Sequence, residues 1–206
     1  MNSSMEQSMF LDNEFNILGI RRATELLFER NQNSQTMADG NFTVKDTNGT
    51  PLLTCSGDLA SNTKVIRNPS GQEVVAMEKR LMFNKFDFCQ DGKVKGRMRL
   101  SLRSSDIQNI HTKNLKGKFE TIEGVWVDIY VTGSFGDTKI LLGGSGKDGS
   151  VIARTRRCRK AKYGSLFKRN ASKRQDYVCQ IFAEVDVPFI VALLVAFDTA
   201  NAKVVD

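Results

Sequence analysis

The sequence predicts a mainly β (α+β) domain in which a strand-rich sheet wraps around one hydrophobic helix near the C-terminus. Three observations carry this prediction: hairpin-like repeats with turn glycines, strands that alternate apolar and polar residues, and an uncharged run from Val187 to Phe197. The chain has 206 residues, of which 40% are hydrophobic. That length and composition suit a soluble domain with a substantial core.

Apolar runs separated by polar turns recur along the chain, at Phe42–Thr54, Lys64–Glu78 and Ile140–Arg154, each with a glycine in its turn. The dipeptide Asp91-Gly92 marks a further turn of the same kind. Such dipeptides supply the positive φ angles that tight hairpins need. The pattern therefore predicts repeated β-hairpins or a meander.

Alternation within the runs predicts strands that bury one face. In Arg97–Arg103, every second residue is Met or Leu and the others are Arg or Ser. In Trp126–Thr132, Val and Ile alternate in the same way with Trp, Asp and Tyr. Strands with one dry and one wet face indicate a sheet wrapped around a core element.

The run Val187–Phe197 predicts that core element. Asp186 precedes it as a helix N-cap, and Pro188 falls in the first turn, where proline is tolerated. A helix that is apolar on every side is either central in a protein or in lipid. At 1.5 Å per residue this run spans roughly 16 Å, about half the hydrocarbon thickness of a bilayer. We therefore expect a buried core helix and no transmembrane span.

The first 38 residues are interpreted as an N-terminal arm, partly flexible or forming a leading strand or helix, and residues 39–206 as the domain proper. Within the arm, Gly19–Arg30 fits a short amphipathic helix or a strand equally well.

Three segments and the ending resemble the LURP-one-related family, whose domain is similar to the tubby C-terminal domain and to phospholipid scramblases. The segments are FTVKDTNGTPLLTCSGD (42–58), VIRNPSGQEVVAMEKRL (65–81) and KDGSVIARTRRCR (147–159). The most specific part is the ending YVCQIFAEVDVPFIVALLVAFD (177–198). The resemblance covers roughly residues 40–200 and implies a twelve-stranded tubby-like β-barrel that encloses a central C-terminal helix.

Side chains suited to catalysis are sparse. The single histidine, His111, lies in a polar stretch, so neither a His-based triad nor a multi-His metal site can be built. Cys55 and Cys89 fall within apolar strand patterns and are interpreted as structural thiols. The segment GGSGKDG (143–149) lacks the ending of a phosphate-binding loop and is interpreted as a hairpin turn. We expect a non-enzymatic protein without metal or cofactor.

A basic segment is the strongest functional feature of the sequence. Residues 149–175 contain ten Lys or Arg residues and no acid, within a chain of net charge +7. The predicted anion- or phosphoinositide-binding residues are Arg154, Arg156, Arg157, Arg159, Lys160, Lys162, Arg97 and Arg99. Since cations occupy both faces of the strand at 154–159, we expect it to be an edge strand or to fray into a loop.

Three functions remain open for this segment. The tubby-like resemblance implies docking on phosphoinositides or other anionic head groups, to which each cation near the surface contributes about 1 kcal/mol. Nucleic-acid binding is a second hypothesis, with Tyr163 and Phe167 interleaved for stacking, but the low aromatic density makes it less favoured. A protein-interaction scaffold, or a solvated edge that blocks aggregation, is the third.

No secretory signal is evident at the N-terminus, and the cysteines form no CxxC pair. We therefore expect an intracellular location, cytoplasmic and peripheral at membranes or nuclear.

Overall fold

The computed structural model describes residues 24–30, 41–57, 62–80, 85–101, 114–120, 124–134, 137–143, 149–157, 177–182 and 185–201. They form twelve β-strands and one α-helix. The strands are β1 (Thr24–Arg30), β2 (Phe42–Lys45), β3 (Pro51–Ser56), β4 (Thr63–Arg67), β5 (Glu73–Arg80), β6 (Lys85–Gln90), β7 (Lys93–Ser101), β8 (Asn114–Glu120), β9 (Trp126–Ser134), β10 (Asp137–Leu142), β11 (Ser150–Arg157) and β12 (Tyr177–Ile181). The helix α1 spans Val187–Asn201.

The strands form one closed antiparallel barrel. From β2 to β12 each strand pairs with its neighbour in sequence, and β1 closes the barrel by pairing with both β12 and β2. The predicted strand-rich domain around a C-terminal helix is thereby confirmed. For Gly19–Arg30 the sequence left a helix and a strand open, and the structure shows a strand at Thr24–Arg30. Residues 19–23 lie outside the described residues. The division of the chain at residue 39 stays a prediction, and β1, on the N-terminal side of it, belongs to the barrel wall.

The pairing of β11 on both sides corrects one prediction made from the sequence. The sequence predicts that the strand at 154–159 is an edge strand or frays into a loop; residues 158 and 159 lie outside the described residues. β11 pairs with β10 on one side and with β12 on the other, up to Arg157. A closed barrel has no free edge, so the edge interpretation is wrong. In a barrel wall, the outward cations of β11 are accommodated by solvent and by carboxylates on neighbouring strands.

Hairpin chemistry sets the short turns of the meander. Asp91 and Gly92 both have positive φ angles, 47° and 72°, as the two central residues of a tight β6–β7 hairpin require. In the β2–β3 turn the Asp46 carboxylate accepts hydrogen bonds from the N–H groups of Asn48 (2.9 Å) and Thr50 (2.8 Å). The predicted turns at these positions are confirmed.

α1 fills the barrel. Thirteen of its fifteen residues are buried, so the helix is covered on all sides by the inward faces of the strands. It runs four residues beyond the predicted end at Phe197, because Asp198 and Ala200 are still inside the barrel. At its C-terminus the Asn201 side-chain amide donates to the carbonyl oxygen of Phe197 at 2.9 Å. Among the described residues, no helix is both long and apolar enough to cross a membrane.

Asp186 occupies the predicted N-cap position. Its carbonyl accepts the first helical hydrogen bond, from Ile190 N–H at 3.1 Å. The side-chain carboxyl is buried and finds no hydrogen bond of normal geometry among the described residues. Burial raises the pKa of Asp186 well above its usual range, and the nearby N–H of Phe189 offsets this only in part. The helix therefore begins at a carboxyl group whose neutral form the interior favours.

Candidate anion-binding surface

The outward arginines of β11 are engaged by carboxylates. Arg154 donates from Nε (3.2 Å) and Nη2 (3.1 Å) to Oδ1 of Asp137 on β10. Arg156 donates from Nη2 to Oε1 of Glu25 on β1 at 2.8 Å. The same Glu25 oxygen accepts a hydrogen bond from Gln180 on β12 at 2.6 Å. Arg156 therefore takes part in a link across the β11–β12–β1 seam of the barrel.

The rest of the predicted β11 segment is only partly described. Arg157 is the last residue of β11 and pairs with Tyr177 of β12. Arg159, Lys160 and Lys162 lie outside the described residues, as do His111, Tyr163 and Phe167.

Arg97 and Arg99 lie on β7, and both are exposed. Arg97 has its Nε 3.7 Å from Oδ1 of Asp87 on β6. Between β7 and β11 stand β8, β9 and β10, a separation of four inter-strand steps, or roughly 19 Å around a convex wall. Among the described residues, Arg97 and Arg99 therefore do not form one patch with Arg154 and Arg156.

Register reveals cations that sequence reasoning missed. Lys118 and Lys116 on β8 lie directly opposite Arg97 and Arg99. On the other side of the barrel, Lys139 of β10 lies directly opposite Arg154. All of these side chains are on the outer face, since the residues between them pack inward. The alternation of Lys and small or apolar residues in NLKGKFE (114–120) signals an outward lysine face, but only the strand pairing shows what it faces.

Like charges directly opposite each other on neighbouring strands are destabilising. Among the described residues such pairs include Arg97 with Lys118, Arg99 with Lys116, and Lys139 with Arg154. Asp87 and Asp137 relieve the first and the third. Neither Arg99 nor Lys116 forms a salt bridge to any carboxylate within the described part of the chain. This β7–β8 pair is therefore a facing pair of cations without a carboxylate partner among the described residues.

The described cysteines are free thiols that are buried or half-buried. Burial raises the pKa of Cys55 and of Cys179 to about 12, which keeps both as unreactive thiols. Cys89 is half-buried, and burial is also the main cause that raises its pKa. No group of three His, Cys, Asp or Glu residues with metal-binding geometry occurs among the described residues. The glycine-rich segment 143–149 connects β10 to β11, as predicted for a hairpin.

The closed antiparallel barrel around an apolar helix defines the tubby-like class of β-barrel domains. The profile of the LURP-one-related family matches residues 26–198, and the chain belongs to this family. Its fold is similar to the X-ray structure of a protein from Arabidopsis thaliana, with a TM-score of 0.58 and 17% sequence identity over 88% of this chain and 93% of that one. A comparison with curated proteins finds no match.

Proposed function

We propose that the protein is a non-enzymatic binding module that docks on anionic membrane surfaces, phosphoinositide-containing ones in particular, through cations on the outer wall of the barrel. The observation that carries the proposal is the set of cross-strand cation pairs. Placing Arg99 directly opposite Lys116 lowers the stability of the fold, because like charges on neighbouring strands repel each other. An anionic ligand would remove this repulsion.

The interior of the barrel supports binding on the outside. α1 and the inward side chains occupy the space that a ligand would need inside a barrel. Binding surface is therefore available on the wall and at its ends. On the wall, several cations near a charged leaflet suffice for reversible docking, because each contributes about 1 kcal/mol.

Co-sedimentation of the full chain with vesicles tests the proposal. We expect binding to phosphatidylcholine vesicles that contain phosphatidylserine or phosphoinositides, and none to pure phosphatidylcholine. Binding falls as salt is raised, since exposed charges are screened. Negligible sedimentation with every anionic vesicle at low salt contradicts the proposal.

The β11 segment is tested in the same assay with Arg154→Ala/Arg156→Ala. Because both arginines are engaged by carboxylates, their loss is expected to weaken docking only in part. A folded double variant that binds as wild type leaves the proposal in place and excludes these two arginines from the surface.

A further inference from the structure

Four outward cations from four consecutive strands lie side by side around the barrel. Arg80 of β5 pairs with Lys85 of β6, Lys85 pairs with Arg99 of β7, and Arg99 pairs with Lys116 of β8. Strands lie about 4.8 Å apart, so the four Cα positions span roughly 14 Å. We refer to Arg80, Lys85, Arg99 and Lys116 as the cation row. Beyond Lys116 the same register continues to Tyr130 on β9, which is buried, so the row of cations ends at Lys116.

The neighbouring row, two residues along each strand, is close to balanced in charge, with three acids and two cations; we refer to it as the balanced row. Its register runs from Glu78 through Asp87, Arg97 and Lys118 to Asp128. Acids stand at both of its ends and cations in its middle. The excess of positive charge on this wall therefore belongs to the cation row.

Within the cation row the β7–β8 end, Arg99 and Lys116, is the least neutralised part. Arg80 turns toward the balanced row, with Nε 3.0 Å from Oδ2 of Asp87 and Nη2 3.8 Å from Oε2 of Glu78. Arg99 is exposed and Lys116 is half-buried. Among the described residues neither of these two forms a salt bridge. The pair combines a planar guanidinium fork with a flexible ammonium on adjacent strands.

We infer that the cation row, through Arg99 and Lys116 at its β7–β8 end, is the primary anion contact of the barrel and that it binds a phosphomonoester group on a lipid headgroup. A phosphomonoester carries about −1.5 to −2 charges at pH 7 and three acceptor oxygens, which match one bidentate arginine and one lysine. A phosphatidylserine headgroup has no such group. The inference rests on the proposed membrane docking and assigns it to β5–β8; the β11 arginines instead tie neighbouring strands together.

A matched pair of double variants tests the assignment. Arg99→Gln/Lys116→Gln removes one arginine and one lysine that face each other across β7 and β8. Lys139→Gln/Arg154→Gln removes the same charges from the facing pair on β10 and β11, which includes a sequence-predicted residue. Both variants are compared with wild type on vesicles that contain phosphatidylinositol 4-phosphate and on phosphatidylserine vesicles of equal total charge, after thermal melting shows that each is folded.

We expect wild type to bind the phosphoinositide vesicles about tenfold more tightly than the phosphatidylserine vesicles. The Arg99/Lys116 variant is expected to lose that preference, and the Lys139/Arg154 variant to keep it. Equal losses in the two variants, with wild-type binding intact, overturn the assignment but leave membrane docking in place. Absence of wild-type binding to any anionic vesicle removes both.

Two further arms distinguish other sources of phosphate. A soluble inositol trisphosphate is expected to compete only at concentrations well above those of the same headgroup on vesicles. If it binds as tightly as the vesicles do, a free phosphorylated ligand replaces the lipid. If a single-stranded RNA oligonucleotide binds more tightly than the vesicles and loses binding in the Arg99/Lys116 variant, the row is a nucleic-acid site, and the lipid assignment is wrong.

Discussion

The ring of Phe119 occupies the space that a side chain at residue 96 would fill. Gly96 on β7 lies directly opposite Phe119 on β8, and a Cβ atom built on Gly96 would be 1.8 Å from Cε1 of that ring. The ring also packs against Phe88, with centroids 5.4 Å apart, and Phe88 in turn packs against Phe189 in the first turn of α1. The absence of a side chain at Gly96 thus leaves room for the Phe119 ring, through which the barrel wall packs against Phe88 and α1.

Gly96→Ala is therefore expected to destabilise the protein by about 1–3 kcal/mol or more, the usual cost of overpacking a tight core. Urea denaturation monitored by circular dichroism measures the loss. The double variant Gly96→Ala/Phe119→Leu is expected to cost less than the sum of its two single variants, because the smaller side chain frees the space. Additive costs would show that the two residues do not share it.

Leu193→Asp places a carboxylate at the centre of α1, where Leu193 is fully buried. An isolated buried charge costs more than the few kcal/mol by which domains are stable, so the variant is expected to yield no soluble folded protein. Val151→Asp introduces the same group at a side chain that is 40% exposed and is expected to leave the fold intact. A folded, soluble Leu193→Asp protein with the wild-type spectrum contradicts the core role of the helix.

Asp186 makes stability depend on pH in a defined direction. A carboxyl group whose folded-state pKa is raised stabilises the fold below its unfolded-state pKa, near 3.9, and this stabilisation is lost as pH rises through the folded-state pKa. Asp186→Asn removes the ionisation and keeps a good N-cap residue. The variant is therefore expected to gain stability relative to wild type as pH rises, by about 1.4 kcal/mol for each unit of pKa shift.

Urea titrations of both proteins between acidic and alkaline pH measure this difference. Comparing the two proteins at each pH cancels the titration of all other groups. A difference in unfolding free energy that stays constant with pH would mean that the carboxyl group at residue 186 is not shifted by burial.

The seam between β11 and β1 gives a comparison of two surface arginines. Arg156 is bound to a Glu25 oxygen that also receives Gln180, whereas Arg154 and Asp137 form an exposed pair. Exposed pairs contribute about 0–1 kcal/mol, and networks contribute more. Arg156→Ala is expected to destabilise by about 1 kcal/mol more than Arg154→Ala, and to speed hydrogen exchange in β1. Equal effects in urea denaturation and exchange would assign no stabilising role to the seam.

The fold could be predicted because its signals are local. The turn at Asp91-Gly92 and the uncharged run at Val187–Phe197 each have one strongly favoured structure, and together they leave few arrangements. The position of β1 was not predictable, since GIRRATELLFER (19–30) fits two periodicities equally well. The edge prediction for β11 failed because β12 pairs along its second side, and no local pattern encodes a pairing between Arg157 and Tyr177, which are 20 residues apart in the chain.

The charge distribution on the surface was less predictable, because it too depends on which strands pair. The density of Lys and Arg along the chain singles out residues 149–175. Whether each of these charges is neutralised depends, however, on residues that are neighbours in space. Asp137 and Glu25, which engage Arg154 and Arg156, come from other strands. Conversely, Lys116 is one of only a few cations in its stretch of sequence, and its importance follows from the register that places it opposite Arg99.

The central helix follows all twelve strands in the chain, and this order affects when the protein can fold during synthesis. Residues 187–201 leave the ribosome after all twelve strands, so every inward face of the wall, from Leu26 to Ile181, has no partner until synthesis of the domain is nearly finished. The barrel cannot form strand by strand during translation, and its nascent strands are exposed to aggregation in the interval. A nonsense or frameshift change shortly before residue 187 therefore keeps all twelve strands but removes the helix that fills the barrel.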